Sequence, residues 1–324
     1  MATFLCSVGA LAALLQAPSP PPPAPPPPSD SLAALRERVA RDSMDGAGWL
    51  QIGHGFLQLA EAAHGRAHRA EADSAWARAA LDTAEAALVR AAALVGSAGG
   101  SAAGDSARVL RVAVWAARSR LTWEESGIAA ALDAWGPLPA DLRVPAVLEE
   151  LGENLLRACP TGGALLTAGD ADSYAVWYMR FARALRPDLL VLPLAAWRSD
   201  ALLRARLARD LKLARRSADD AWLGELAKRR PVCVSMAFER PPEVRPRVGW
   251  VPRSLVWVTG PQGKGPSVPA RDFVFAALRV GLDAHDPWAD PALAVYTRAA
   301  RATRALCEPM ATFKVAVDVP SCRR

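Results

Sequence analysis

Two carboxylates two residues apart, Asp170 and Asp172 in Gly169-Asp170-Ala171-Asp172, follow a short apolar run and precede a helical pattern. At the junction of a strand and a helix such a pair can offer oxygen ligands to a divalent cation, which would neutralise a sugar diphosphate. The simpler reading is a helix start, in which one aspartate accepts free backbone N–H groups, the other complements the dipole and Gly169 makes the turn. Tyr174, Trp177 and Tyr178 lie within the next two turns. Tyr174 and Tyr178 are candidates for a carbohydrate-stacking surface, whereas the spacing of Trp177 puts it in the core.

Other chemistry-bearing groups are sparse. His64 and His68 are four apart on an expected helix and could share a metal, but no third ligand is near in sequence. His285-Asp286 is an acid–base pair on paper, yet Asp286-Pro287 reads as a turn. The segment 260–267 has glycines and a lysine without phosphate-loop spacing, and its prolines remove amides that a phosphate cradle needs. The chain contains neither a nucleophile elbow nor a dinucleotide fingerprint, so the expectation leans away from an enzyme and invokes no cofactor beyond the divalent metal just considered.

The elements that must position Asp170 and Asp172 are a strand over 164–168, a helix from Tyr174 to the Arg186-Pro187 stop, and a second apolar strand over 189–194. Two short strands flanking one helix predict parallel pairing through a right-handed crossover. Gly169-Asp170-Ala171-Asp172-Ser173-Tyr174, then Trp177-Tyr178, then Arg186-Pro187-Asp188 and its apolar strand resemble a signature in the soluble C-terminal region of bacterial protein O-mannosyltransferase-like membrane proteins, with Ala171 where that family has asparagine. The resemblance extends over about residues 160–258 and includes further strands at 232–238 and 255–258. It implies a Rossmann-like α/β fold and an extracytoplasmic compartment. Glycosyl transfer in that family belongs to its membrane domain, so the resemblance implies no activity for these residues.

More than half of the 324 residues are apolar, enough for a large core and about two domains. The net charge of +6 is almost all arginine, with lysine only at 212, 228, 264 and 314. No basic run is interleaved with aromatics, which argues against nucleic acid as a partner. The arginines and lysine of 204–216 spread around a helix and read as a solvated face.

Residues 1–17 read as a signal peptide or an uncleaved anchor that brings the protein near a membrane, and the polyproline stretch 18–30 as an extended linker. A periplasmic or otherwise extracytoplasmic location follows. With Cys6 set aside, Cys159, Cys233, Cys307 and Cys322 permit two disulfides in three connectivities, or buried free thiols. Cys307 and Cys322 flank an expected last strand over 313–319, and Cys159 and Cys233 stand near the starts of strands that could be neighbours.

Residues 31–158 read as an all-α domain of helical hairpins. Trp49, Ile52, Gly53 and Phe56 have the spacing of the first helix of a tetratricopeptide repeat, with Ala84, Leu88 and Ala91 matching the partner helix. Trp49 and Phe56 are the residues such an array would offer to a protein partner. Further helices are expected over 105–120 and 123–135 as a pair, then 142–158. Residues 159–324 are expected to form a mostly parallel α/β domain. The functional expectation is a non-catalytic extracytoplasmic scaffold docking a protein partner in a membrane complex; the alternative is a metal-dependent accessory or enzyme that binds a glycan or sugar nucleotide at Asp170 and Asp172.

Overall fold

In the computed structural model the described residues are 30–64, 71–95, 102–128, 130–131, 142–214, 219–244, 247–260 and 268–323. The chain enters through helix α1 (Asp30–Arg41) and three longer helices, α2 (Gly46–His64), α3 (Glu71–Val95) and α4 (Ala102–Ser126). Asp45 starts α2 by accepting the N–H of Gly48 at 2.9 Å and holding Arg38 at 2.6 Å. The α2/α3 seam is built from small residues, with Ala60, Ala63, Ala77 and Ala84 all buried. At Gly53 a Cβ would stand 2.5 Å from Leu88 Cγ, so the glycine permits the close approach.

Sequence placed a helical pair over 105–120 and 123–135, but α4 runs unbroken through Trp123 to Ser126. Nothing in Arg120-Leu121-Thr122-Trp123 breaks a helix, and the turn comes only at Gly127, whose φ of 95° suits glycine. Residues 132–141 lie outside the described set, as do the polyproline stretch 18–29, the first seventeen residues, His68 and 261–267.

After α5 (Ala146–Ala158) the chain forms β1 (Ala164–Thr167), α6 (Asp170–Trp177), a π-helical turn Tyr178–Ala182 and β2 (Leu190–Pro193). Strands β1 and β2 are parallel and adjacent, with Leu165 opposite Val191. The chain then runs through α7 (Leu194–Ser199), α8 (Ala201–Asp210) and α9 (Ala221–Leu226) to β3 (Val232–Ser235), which pairs parallel to β1 on its other side. Strands β4 (Val251–Arg253) and β5 (Val256–Thr259) add an antiparallel hairpin, giving the order β2-β1-β3-β5-β4. The sheet is thus mixed, parallel at its centre, in a chain that is otherwise mostly helical. Pro193 ends edge strand β2, and Pro252 sits in the middle of the other edge strand.

Side chains on the parallel strands alternate between two cores. Leu165, Val191 and Cys233 face α5 and α6, while Ala164, Leu166, Leu190, Leu192, Val232 and Val234 face α7, α8 and α9. Helix α5, which a boundary at residue 158 groups with the preceding helices, buries Leu148, Leu151 and Leu155 in the first of these cores. It lies close on α6, since a Cβ at Gly152 would stand 2.4 Å from the carbonyl oxygen of Ala175.

The C-terminal segment departs from expectation. After α10 (Ala276–Asp283), α11 (Ala289–Ala302) and α12 (Cys307–Thr312), residues 313–319 form no strand but a turn and the 3₁₀ segment Ala316–Asp318. Val315 and Val319 are fully buried and Val317 is exposed. The Cys307–Cys322 disulfide holds this segment as a closed loop, and a second disulfide joins Cys159 at the end of α5 to Cys233 in β3.

Candidate ligand-binding crevice

Strands β1 and β2 point their carboxyl ends at the same edge of the sheet, and α2 and α4 pack over that edge. Between them lies a crevice of about 250 Å³. In open α/β sheets this is the edge at which ligands bind. Its floor is Ala168, Gly169 and Pro193; its walls are α6 (Asp170, Ser173, Tyr174, Trp177), α7 (Ala195, Ala196, Ser199) and the overlying helices (Leu57, Glu61, Ala113, Ala117, Arg120, Trp123).

Asp170 and Asp172 have separate fates. Asp172 is 1 % exposed; its Oδ2 accepts the N–H of Ala168 at 2.9 Å and its Oδ1 that of Gly169 at 2.8 Å. The Ser235 hydroxyl of β3 lies near it. Burial pushes its carboxyl above the ordinary range, with the backbone N–H bonds pulling the other way. Both oxygens are therefore spent on the strand-to-helix turn. Asp170 is exposed at the crevice, near the hydroxyl of Tyr174. Burial, then the charges of Asp170 and Glu61, push the Tyr174 phenol well above its usual value, so it stays a neutral donor. Among the described residues no three His, Cys, Asp or Glu side chains gather as a metal cluster.

Tyr178 is not brought to the crevice. One residue past Trp177 it points away from the crevice into the core shared with α5, where it is 3 % exposed and its hydroxyl donates to the Leu142 carbonyl at 3.3 Å. Trp177 is 4 % exposed and lines the crevice while packing on Phe181 at 4.6 Å. Beneath them Thr167 and Ser173 share a buried hydroxyl–hydroxyl bond of 2.8 Å.

Charged groups distant in sequence complete the site. Arg120 of α4 holds Glu61 of α2 at 2.5 Å and stands 3.8 Å from Asp200. Asp200 is 1 % exposed and caps α8 through Leu202 and Leu203 at 3.1 and 3.0 Å. Desolvation opposes the charge on Arg120, but Glu61 and Asp200 outweigh it and raise its pKa. Periodicity gives no hint of this trio; the one local signal is Asp200, placed like an N-cap before Ala201-Leu202-Leu203.

The remaining candidates serve packing. Trp49 and Phe56 are half-buried; the Trp49 indole donates to the Ser43 carbonyl at 3.1 Å, and Arg36 of α1 lies 4.8 Å over the Phe56 ring. Asp286 accepts the N–H of Trp288 at 2.8 Å and so makes a turn, with exposed His285 at a φ of 55°. Arg186 and Asp188 form a two-pronged pair at 2.9 and 2.8 Å; Arg186 also donates to the carbonyls of Leu156 and Cys159, and Asp188 accepts from Gly162. That motif ties the end of α5 to the start of β2. No family model, no curated protein and no solved structure matches the chain.

Proposed function

We propose that the protein is a non-catalytic extracytoplasmic binding protein that receives a small sugar-class ligand in the crevice between its helical half and its α/β sheet. The single observation behind this reading is the crevice itself. It opens at the carboxyl ends of β1 and β2 and is walled by Trp123, Trp177 and Tyr174, with Asp170 facing in. Aromatic faces stack on the C–H face of a sugar ring, and a carboxylate accepts from its hydroxyls. Two disulfides support a compartment outside the cytoplasm. We read the sheet, with its parallel β2-β1-β3 centre, as Rossmann-like, and the α2/α3 hairpin, with Gly53 against Leu88, as a degenerate tetratricopeptide-like unit.

Under this reading neither a metal nor a sugar diphosphate is needed, because Asp172 is committed to the backbone. A role as a scaffold grasping its partner through Trp49 and Phe56 is less well supported, since both rings pack against their own helices. Titration of monosaccharides, followed by tryptophan fluorescence, tests the proposal. Saturable binding is expected in the native protein and is expected to vanish in Ala195→Trp, which fills the mouth of the crevice from an exposed position. Identical titrations in both proteins, or no binding in either, would refute it.

A further inference from the structure

Resting on that reading, we infer that the ligand carries a positive charge: a single pyranose ring bearing a free ammonium group, a hexosamine, held with its amine at Asp170. Three observations lead there.

The first is the charge balance of the crevice. Among the described residues that line or border the crevice, the guanidinium of Arg120 lies among the carboxylates of Glu61, Asp200 and Asp170. Glu61 and Asp200 engage Arg120, and among the described residues no ion pair engages Asp170, whose charge is exposed at the crevice near the neutral hydroxyl of Tyr174. An excess carboxylate in a partly desolvated cleft attracts a cation and repels an anion more strongly than it would in water.

The second is the state of the strand-to-helix turn. In nucleotide-binding α/β proteins the N–H groups there cradle a phosphate. Here the N–H groups of Ala168 and Gly169 are taken by Asp172 at 2.9 and 2.8 Å. Two amides of the turn are thus committed to the protein's own carboxylate, and the charge of Asp170 beside them disfavours a diphosphate.

The third is shape and surface. A volume of about 250 Å³ is under the roughly 300–1,000 Å³ usual for drug-sized ligands and limits the occupant to about one ring. Trp123, Trp177 and Tyr174 supply aromatic walls, and an ammonium beside aromatic faces and a carboxylate gains from both.

The test is calorimetric titration at fixed ionic strength, at a pH where the amine is protonated, with glucosamine, N-acetylglucosamine, glucose, glucuronate and uridine diphosphate glucose as probes. Each is titrated into the native chain and into Asp170→Asn, a substitution at an exposed position that leaves the Asp172 turn untouched. Glucosamine is expected to bind at least about tenfold more tightly than glucose or N-acetylglucosamine, since a charge-assisted hydrogen bond replaces a neutral one. Asp170→Asn is expected to erase most of that margin, so that glucosamine and glucose bind the variant with nearly equal affinity. Equal affinity for glucose and glucosamine, or a margin that survives in Asp170→Asn, overturns the inference and leaves the sugar-binding proposal standing. Tighter binding of glucuronate or the nucleotide sugar also overturns it. Failure of every probe removes both.

Discussion

At the scale of single residues, two aspartates separated by one alanine do unlike work because one side chain turns inward. The spacing of Asp170 and Asp172 was legible as a helix start, and the structure gives the N–H-accepting role to Asp172 alone. What was not legible was the company of Asp170, because Glu61, Arg120 and Asp200 come from three other helices and only long-range packing assembles them. Removing the Asp172 carboxylate leaves two N–H groups without acceptors, so Asp172→Ala is expected to cost about 1–3 kcal/mol in denaturant unfolding. The pH dependence carries two opposite signs. Arg186 beside Asp188 holds that carboxyl down at about 2. Its stabilisation is present above the unfolded carboxyl range near 3.8 and is lost as pH falls towards 2, less strongly than for a fully buried pair because Asp188 is partly solvated. Asp172 and Glu150 are raised, chiefly by burial, so their contribution is greatest below their ordinary values and declines as pH rises through the folded ones. Denaturant midpoints measured across acid pH should flatten at the low end in Asp188→Asn and at the upper end in Asp172→Asn; unchanged curves would contradict these assignments.

At the scale of elements, the βαβ unit could be read from sequence because each boundary has a local cause: Gly169 at the turn, Arg186-Pro187 at the stop, β-branched and leucine runs between. Strand β4 was missed because Pro252 reads as a breaker, and an edge strand tolerates proline where an inner one does not. The strand expected at 313–319 failed for a different reason. Phe313, Val315, Val317 and Val319 alternate like a strand, yet Val315 and Val319 are also four apart and bury together in a helical turn closed by a disulfide. Helix α5 fixes α6 through Gly152, so Gly152→Ala is expected to push the backbone at Ala175 and lose about 1–3 kcal/mol despite the better helix propensity of alanine. The Cys159–Cys233 bridge closes a loop of 74 residues and the Cys307–Cys322 bridge one of 15. Loop-closure entropy then gives about 4 kcal/mol for the first and about 3 for the second. Paired Cys→Ala variants should rank in that order by chemical unfolding, and the reverse order would show that native packing outweighs loop length.

At the scale of the whole molecule, the helical half and the sheet are joined rather than strung together. Val109 and Val112 of α4 share a core with α5 and β1, and Arg120 spans α2, α4 and the start of α8. Unfolding monitored by far-ultraviolet circular dichroism and by tryptophan fluorescence should therefore give one coincident transition, and Arg120→Met should weaken the joint enough to separate the two signals. The two prolines at the sheet borders bear on a different property. A row of unsatisfied amides along an outer strand is a template on which further polypeptides can crystallise into fibrils. Pro193 and Pro252 delete amides at both margins, so a crowded population of this chain should resist cross-β assembly, and Pro252→Val should be the change that lets concentrated samples bind amyloid dyes.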